Sequence, residues 1–328
     1  MKNDNIKLNL KLANNQLNLY GYNSFINGLI KIYNENKFPK QLLITGPKGS
    51  GKSTSIYHLV NYFLSVNEDH PYDTKNFTIN PNNYSYKLIT ESIHPNFFLL
   101  KNDEGEKNIK IDKTKQLIKF LNKSTYSKSI KIVMIDNAEL LNINASNALL
   151  KVIEEPDDKT FFLIIQNTES PLLSTIKSRC IEHKVFLNLN DKIQIFKSLY
   201  KQYFKENNVN IEFEKTLKQL NHLTPGNLLK ILIFLKNNDL DLNINNYDCL
   251  NFFLNKYAKD KDSTTLPIIL FFIQVFYRDL AIISNNKINK LFYNYSSILV
   301  KYKEMKTYNL DIKNIINWTT NIIENEQK

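Results

Sequence analysis

Two short runs carry the residues most suited to chemistry. Gly46-Pro-Lys-Gly-Ser-Gly-Lys-Ser53 fits the spacing G-x-x-x-x-G-K-[ST] in full. Glycines at 49 and 51 let backbone N–H groups turn toward phosphate oxygens. The Lys52 ammonium can reach β- and γ-phosphates, and the Ser53 hydroxyl can ligate Mg²⁺. Gly46, Gly49, Gly51, Lys52, Ser53 and Thr54 are therefore the candidate contacts for ATP with Mg²⁺. The other reading of the loop is a shape kept without ligand. The second run, Ile132-Val-Met-Ile-Asp136, is apolar and ends in an acid. An Asp so placed holds Mg²⁺, usually through water, which pairs Asp136 with Ser53 as candidate metal contacts.

The residue after that acid bears on hydrolysis. A carboxylate there polarises the attacking water. This chain has Asn137, and an amide accepts no proton at neutral pH. Glu139 stands two positions further on, and sequence alone does not place it. Weak or absent hydrolysis at the chain's own site is the expectation. Gln166 or Asn167 is the candidate polar sensor, with a loop amide of no function as the alternative.

These residues need a scaffold, and the apolar pattern supplies one. Gln41–Thr45, Phe97–Leu100, Ile130–Ile135 and Phe161–Ile165 read as short buried strands. Between them Ser24–Asn34, Ser53–Ser65, Ile111–Leu121 and Ala145–Glu154 keep helical spacing, with Asp112 a possible cap. Residues 67–83 are polar and broken by Pro71 and Pro81, which predicts a surface excursion. Strands alternating with helices imply an α/β domain with a parallel sheet covered on both faces. After Leu187 the pattern is helical: Ile193–Tyr203, Phe213–Leu220, Gly226–Lys236, Leu266–Ile283 and Ile312–Ile323. Asn237–Asn246 reads as a linker, and no internal repeat is visible.

Composition sets outer bounds. The 328 residues suit about two or three domains. At 42% hydrophobic and 23% charged, the chain is not a disordered one. Net charge is +11, which fits a nucleic-acid partner. Enrichment in Lys, Asn, Ile and Tyr, which share A/T-rich codons, explains that charge first. Two distant cysteines, Cys180 and Cys249, exclude a disulfide framework and a four-cysteine zinc site. The N-terminal residues hold no signal-peptide core, and no run is long enough to span a bilayer. The expectation is a cytoplasmic protein without membrane contact.

Several of these runs together resemble a known family. Leu19-Tyr-Gly-Tyr22, the phosphate loop, Ile132–Leu141, Asn147-Ala-Leu-Leu-Lys-Val-Ile-Glu-Glu-Pro156 and Ser178-Arg-Cys180 are similar to the delta-prime family of bacterial DNA polymerase III clamp-loader subunits. His94-Pro95 and Asp112 also resemble its pattern. The motifs span about residues 19–185, and the rest matches in helical character and length. The resemblance implies a P-loop AAA+ parallel-sheet domain over 1–186, a helical lid over 187–240 and a helical collar over 245–328. It implies a clamp-loader stator, helping to load the sliding clamp onto primed DNA beside gamma/tau-type motor and delta subunits. Arg179 matches the family's arginine finger, given in trans to ATP in the adjacent subunit, with Ser178 and Cys180 as local supports. An ordinary surface arginine, near the end of a helix starting around Pro171, is the alternative.

Two departures shape the expectation. Many family members carry a zinc-binding cysteine cluster between the phosphate loop and the acidic strand; none is here, so no zinc is expected. Active AAA+ ATPases place a sensor arginine at a later helix start, where Pro225-Gly-Asn-Leu-Leu229 offers Leu229, a residue suited to a core. One alternative is a catalytically active motor subunit in which Glu139 replaces the base. Another is a stand-alone P-loop small-molecule kinase, against which the helical C-terminal third and the Ser-Arg-Cys run weigh. Phe252, Phe253, Phe271, Phe272, Phe276 and Tyr277 are candidate core or interface anchors.

Overall fold

The computed structural model describes residues 9–103, 106, 108–123, 130–204, 223–238, 240, 246–260, 265–283, 287–308 and 310–327. The chain divides into one compact unit within Leu8–Lys230 and another within Ile231–Lys328. The expected helix over Phe213–Leu220 and most of the expected linker over Asn237–Asn246 lie outside the described residues.

In the first unit, β1 (Gln41–Gly46), β2 (Phe97–Leu100), β3 (Lys131–Ile135), β4 (Thr160–Asn167) and β5 (Ile181–Lys184) form one sheet. Its order is β2-β3-β4-β1-β5, and every neighbouring pair is parallel. Parallel strands need helical crossovers, and these cover both faces. The helices are α1 (Asn23–Asn34), α2 (Lys52–Ser65), α3 (Tyr84–Thr90), α4 (Ile111–Asn122), α5 (Ile143–Glu154), α6 (Ser174–Lys177) and α7 (Leu189–Phe204). Alternation along each strand splits the core in two. Leu42, Ile44, Ile132, Met134 and Ile165 pack with α1 and α2; Leu43, Val133, Ile135, Phe162 and Ile164 pack with α4 and α5. Full burial of each such side chain contributes roughly 1.5–3 kcal/mol.

Local chemistry fixes the element ends. The Asn142 side chain accepts from the Ala145 N–H at 2.8 Å and starts α5. Asn83 does the same for α3 through the Tyr86 N–H at 2.6 Å. The Lys131 amine is buried, yet it donates to Leu121 O at 2.7 Å and so satisfies the carbonyl end of α4.

Three expectations need correction, and one strand was not expected. Asp112 does not cap α4; that place is held by Lys110, and Asp112 pairs with Lys115 on the surface. Residues 67–83 are irregular but not wholly superficial, since Tyr72, Phe77 and Ile79 are buried there. The strand β5 was not visible in the apolar pattern because this edge strand carries Glu182, His183 and Lys184. The helix expected to start around Pro171 begins only at Ser174.

Further helices follow: α8 (Pro225–Lys236), α9 (Asn246–Asp260), α10 (Leu266–Ile283), α11 (Ile288–Tyr308) and α12 (Ile312–Gln327). Within the second unit, Phe253 stacks on Phe272 at 5.3 Å and lies beside Phe234. Phe253, Phe271, Phe272, Phe276 and Tyr277 are buried, and Phe252 is exposed. No described helix is long and apolar enough to cross a membrane.

Candidate functional site

Residues 46–53 leave β1 and enter α2, the strand-to-helix turn that an anion-binding loop requires. Gly49 and Gly51 have φ of +79° and +95°, which an L side chain adopts only under strain. A Cβ on Gly49 would also lie 2.6 Å from Thr224 Oγ1. The loop is thus shaped to turn its backbone N–H groups, together with the first turn of α2, toward an anion.

Adjacent strand ends supply the other groups. Ile135 lies beside Ile164 and Gly46 beside Asn167, so Asp136, Asn167 and the loop share one sheet edge. Ligands of open parallel sheets bind at this carboxyl edge. Ser53 Oγ donates to Asp136 Oδ1 at 2.9 Å. The two oxygens form a hard-donor pair of the kind Mg²⁺ accepts. Burial raises the Asp136 pKa, partly opposed by the Ser53 hydroxyl.

Lys52 is buried. Its ammonium donates to Gly46 O at 2.8 Å, Pro47 O at 2.7 Å and Asn167 Oδ1 at 3.1 Å. Its three N–H groups are thereby matched by three oxygens of the same chain. Desolvation lowers its pKa to about 8, against the fields of Glu169, Asp136 and Glu139.

Asn137 and Glu139 occupy clear places. Asn137 adopts φ 58°, which asparagine tolerates better than most residues. Asn137 Oδ1 accepts from Asn167 Nδ2 at 2.8 Å. Glu139 accepts from the same amide at 2.6 Å and from the Asn167 backbone N–H at 3.1 Å. Both Glu139 oxygens therefore hold Asn167. Between the two sensor candidates, Asn167 reaches Lys52, while Gln166 donates to Ser170 O.

A cavity of about 280 Å³ adjoins the loop, walled in part by Leu19, Tyr20, Thr54, Ile195, Leu199 and Leu229. Leu229 is 1% exposed, a core residue as its type suggested. Several groups here escaped the sequence reading. Tyr22 donates its hydroxyl to Ser50 O at 2.5 Å. The Lys48 N–H donates to Glu169 Oε1 at 2.8 Å. The turn before α8 grips the loop: Thr224 Oγ1 donates to Lys48 O at 2.8 Å, and the Gly226 N–H to Gly49 O at 2.9 Å. Lys230 adds a second cation whose pKa is lowered by burial and by the nearby Lys48. The Leu19-Tyr-Gly-Tyr22 match and the Pro225–Leu229 run pointed to the segments that hold Tyr22 and Gly226, but not to their contacts.

Arg179 lies elsewhere. It borders a surface recess with Gln41, Ile153, Glu154 and Ser178. Gln41 opens β1 and Gly46 closes it. Five residue steps of about 3.3 Å separate those ends by roughly 16 Å, more than an arginine side chain spans. Arg179 Nε donates to Glu154 Oε1 at 2.6 Å, and Nη2 donates to the same oxygen. Nη1 donates to Thr175 O at 2.7 Å. Cys180 donates to Ile176 O at 3.2 Å, and burial pushes its thiol up to about 11. A thiol so held stays protonated at neutral pH, which leaves it little of the thiolate that reacts. Among the described residues, no group of three or more His, Cys, Asp or Glu could hold a metal ion.

The sheet order, phosphate loop and acid-ended β3 define a P-loop α/β domain of the AAA+ kind with a helical C-terminal region. A family model described as "DNA polymerase III, delta subunit" matches residues 21–187, half of the chain, and the chain belongs to that family, among the delta-prime subunits of the clamp loader. DNA polymerase III subunit delta' of Pseudomonas aeruginosa is 41% identical over 96 residues, 29% of each chain. The counterpart of Buchnera aphidicola subsp. Acyrthosiphon pisum is 26% identical over 252 residues, 74% of this chain and 69% of that relative. The first of these matches spans less than a third of the relative's length. A solved gamma subunit-related protein of Thermotoga maritima is 17% identical, with a TM-score of 0.47, covering 92% of this chain and 99% of that one.

Proposed function

We propose that this chain is a stator in the clamp loader, which gives Arg179 to ATP bound by a neighbouring subunit and splits little or none itself. The observation that carries this reading is the placement of Arg179 at the opposite edge of the sheet from its own phosphate loop. A phosphoryl group in transfer spreads charge over its oxygens, and a guanidinium neutralises that charge bidentately. An arginine that does not span the distance to its own loop serves this chemistry only in another subunit.

The residues of the home site fit a nucleotide. The loop N–H groups and Lys52 would hold phosphates, Ser53 and Asp136 would hold Mg²⁺, and the adjoining cavity would take the base. Bound Mg²⁺ would neutralise phosphate charge. Hydrolysis lacks support: Asn137 supplies no base, both Glu139 oxygens are engaged, and Leu229 offers no cation. The gamma/tau-type motor and delta subunits, the sliding clamp and primed DNA reached through the complex are the partners of this reading. Residues 187–240 would act as the lid, 245–328 as the collar, and the setting would be the cytoplasm.

The test is Arg179→Ala in the assembled complex. Composition should hold while DNA-stimulated ATPase falls about 10³-fold or more at the affected site, less for the whole complex. Unchanged ATPase in a verified complex removes the role. Robust turnover by the isolated chain, abolished by Lys52→Ala, would favour an active motor subunit instead.

A further inference from the structure

The run ending in Glu154-Glu155-Pro156 has no part in the phosphate site, yet its first glutamate is the main partner of Arg179. We propose that Glu154 is the positioning residue of Arg179, holding the guanidinium so that its two outermost N–H groups face outward as a fork. The inference rests on the reading of Arg179 as a donated finger.

A guanidinium has five N–H groups. Here Nε and one N–H of Nη2 go to Glu154, and one N–H of Nη1 goes to Thr175 O. Among the described residues no partner takes the remaining N–H on each terminal nitrogen, which leaves two donors for two oxygens of a phosphoryl group. The supports come from two elements. Glu154 is the last residue of α5, and Thr175 lies in α6. The C-terminus of α5 is itself fixed, since Gln41 Nε2 donates to Ile153 O at 2.5 Å. A cation also suits that end of a helix, where carbonyl dipoles gather. The Arg179 side chain keeps 31% exposure and Glu154 45%, so the pair is reachable from outside. At such exposure the ion pair adds little to stability. Its effect is on direction: an anchored side chain arrives oriented, whereas a free one loses entropy when it binds.

The experiment uses the full chain in the assembled complex, with kcat and KM of DNA-stimulated ATP hydrolysis as readouts. Glu154→Ala should lower kcat by about 10- to 100-fold at the affected site. KM should stay within about twofold, the split expected of an interaction made only in the transition state. Glu154→Gln keeps an oxygen at the same place and should recover most of the rate. Glu154→Ala combined with Arg179→Ala should be no slower than Arg179→Ala alone. Unaltered kcat in Glu154→Ala, or a further fall in the double variant, overturns the inference while the finger reading stands. An inert Arg179→Ala overturns the finger reading itself. Thermal unfolding of each variant chain, expected to match the parent, separates misfolding from misdirection.

Discussion

The two ends of strand β1 treat a cation in opposite ways. At the Gly46 end, Lys52 spends all three N–H groups on oxygens of its own chain. At the Gln41 end, Arg179 spends three of five on described residues, and no other described residue takes the remaining two. The first cation is buried and desolvated, with its pKa lowered to about 8. The second is a partly exposed guanidinium, a planar fork that can meet two oxygens at once. One sheet thus holds a lysine satisfied from within at one end and an arginine with N–H groups to spare at the other. The contrast teaches that a complete phosphate-loop motif states what a backbone can bind, and its surroundings decide what it does.

The largest expected effect tests whether one scaffold carries both ends. Phe162 is fully buried in β4, which pairs with β1 and β3. Phe162→Ala should cost about 3–5 kcal/mol in urea unfolding and weaken both ends together. A loss confined to one end would show that the two do not share a core.

Acid should separate the ends. His58 of α2 is fully buried, with its two ring nitrogens at Tyr72 OH and Gln16 O, both 3.1 Å away. Burial lowers its pKa to about 4. Below the unfolded value near 6.5, the unfolded ring takes a proton that the folded ring refuses until about pH 4. Stability is therefore whole above that window and falls by about 3 kcal/mol as pH drops through it. Hydrogen exchange at pH 5 should loosen α2 and its partners before the Arg179 corner. His58→Gln should flatten the decline in denaturant midpoint, and an unchanged slope would exclude this histidine as its source.

The smallest effect bears on the arginine side alone. Asn142 caps the start of α5, whose far end is Glu154. Asn142→Ala should cost about 1 kcal/mol, measured by thermal unfolding, and leave the Lys52 environment unchanged. A shift there would couple the two ends.

What the sequence disclosed follows from the range of the forces involved. Leu42-Leu-Ile44 and Ile132–Ile135 are buried on both faces, so unbroken apolar runs exposed them as strands. The phosphate loop and Asp136 were legible because their spacing is local. β5 was hidden because an edge strand tolerates polar side chains, and α3 because its seven residues are too few for a periodic signal. Glu169 on Lys48, Thr224 on Lys48 and Glu154 on Arg179 join positions far apart in the chain. No local pattern encodes such pairs. The commitment of Glu139 to Asn167 was beyond reach for the same reason.

The most direct test of the central claim compares Lys52→Ala with Arg179→Ala in otherwise identical assembled complexes, reading steady-state DNA-stimulated ATPase. The account expects Arg179→Ala to depress turnover and Lys52→Ala to leave it near that of the parent. Turnover lost with Lys52→Ala and kept with Arg179→Ala would contradict it.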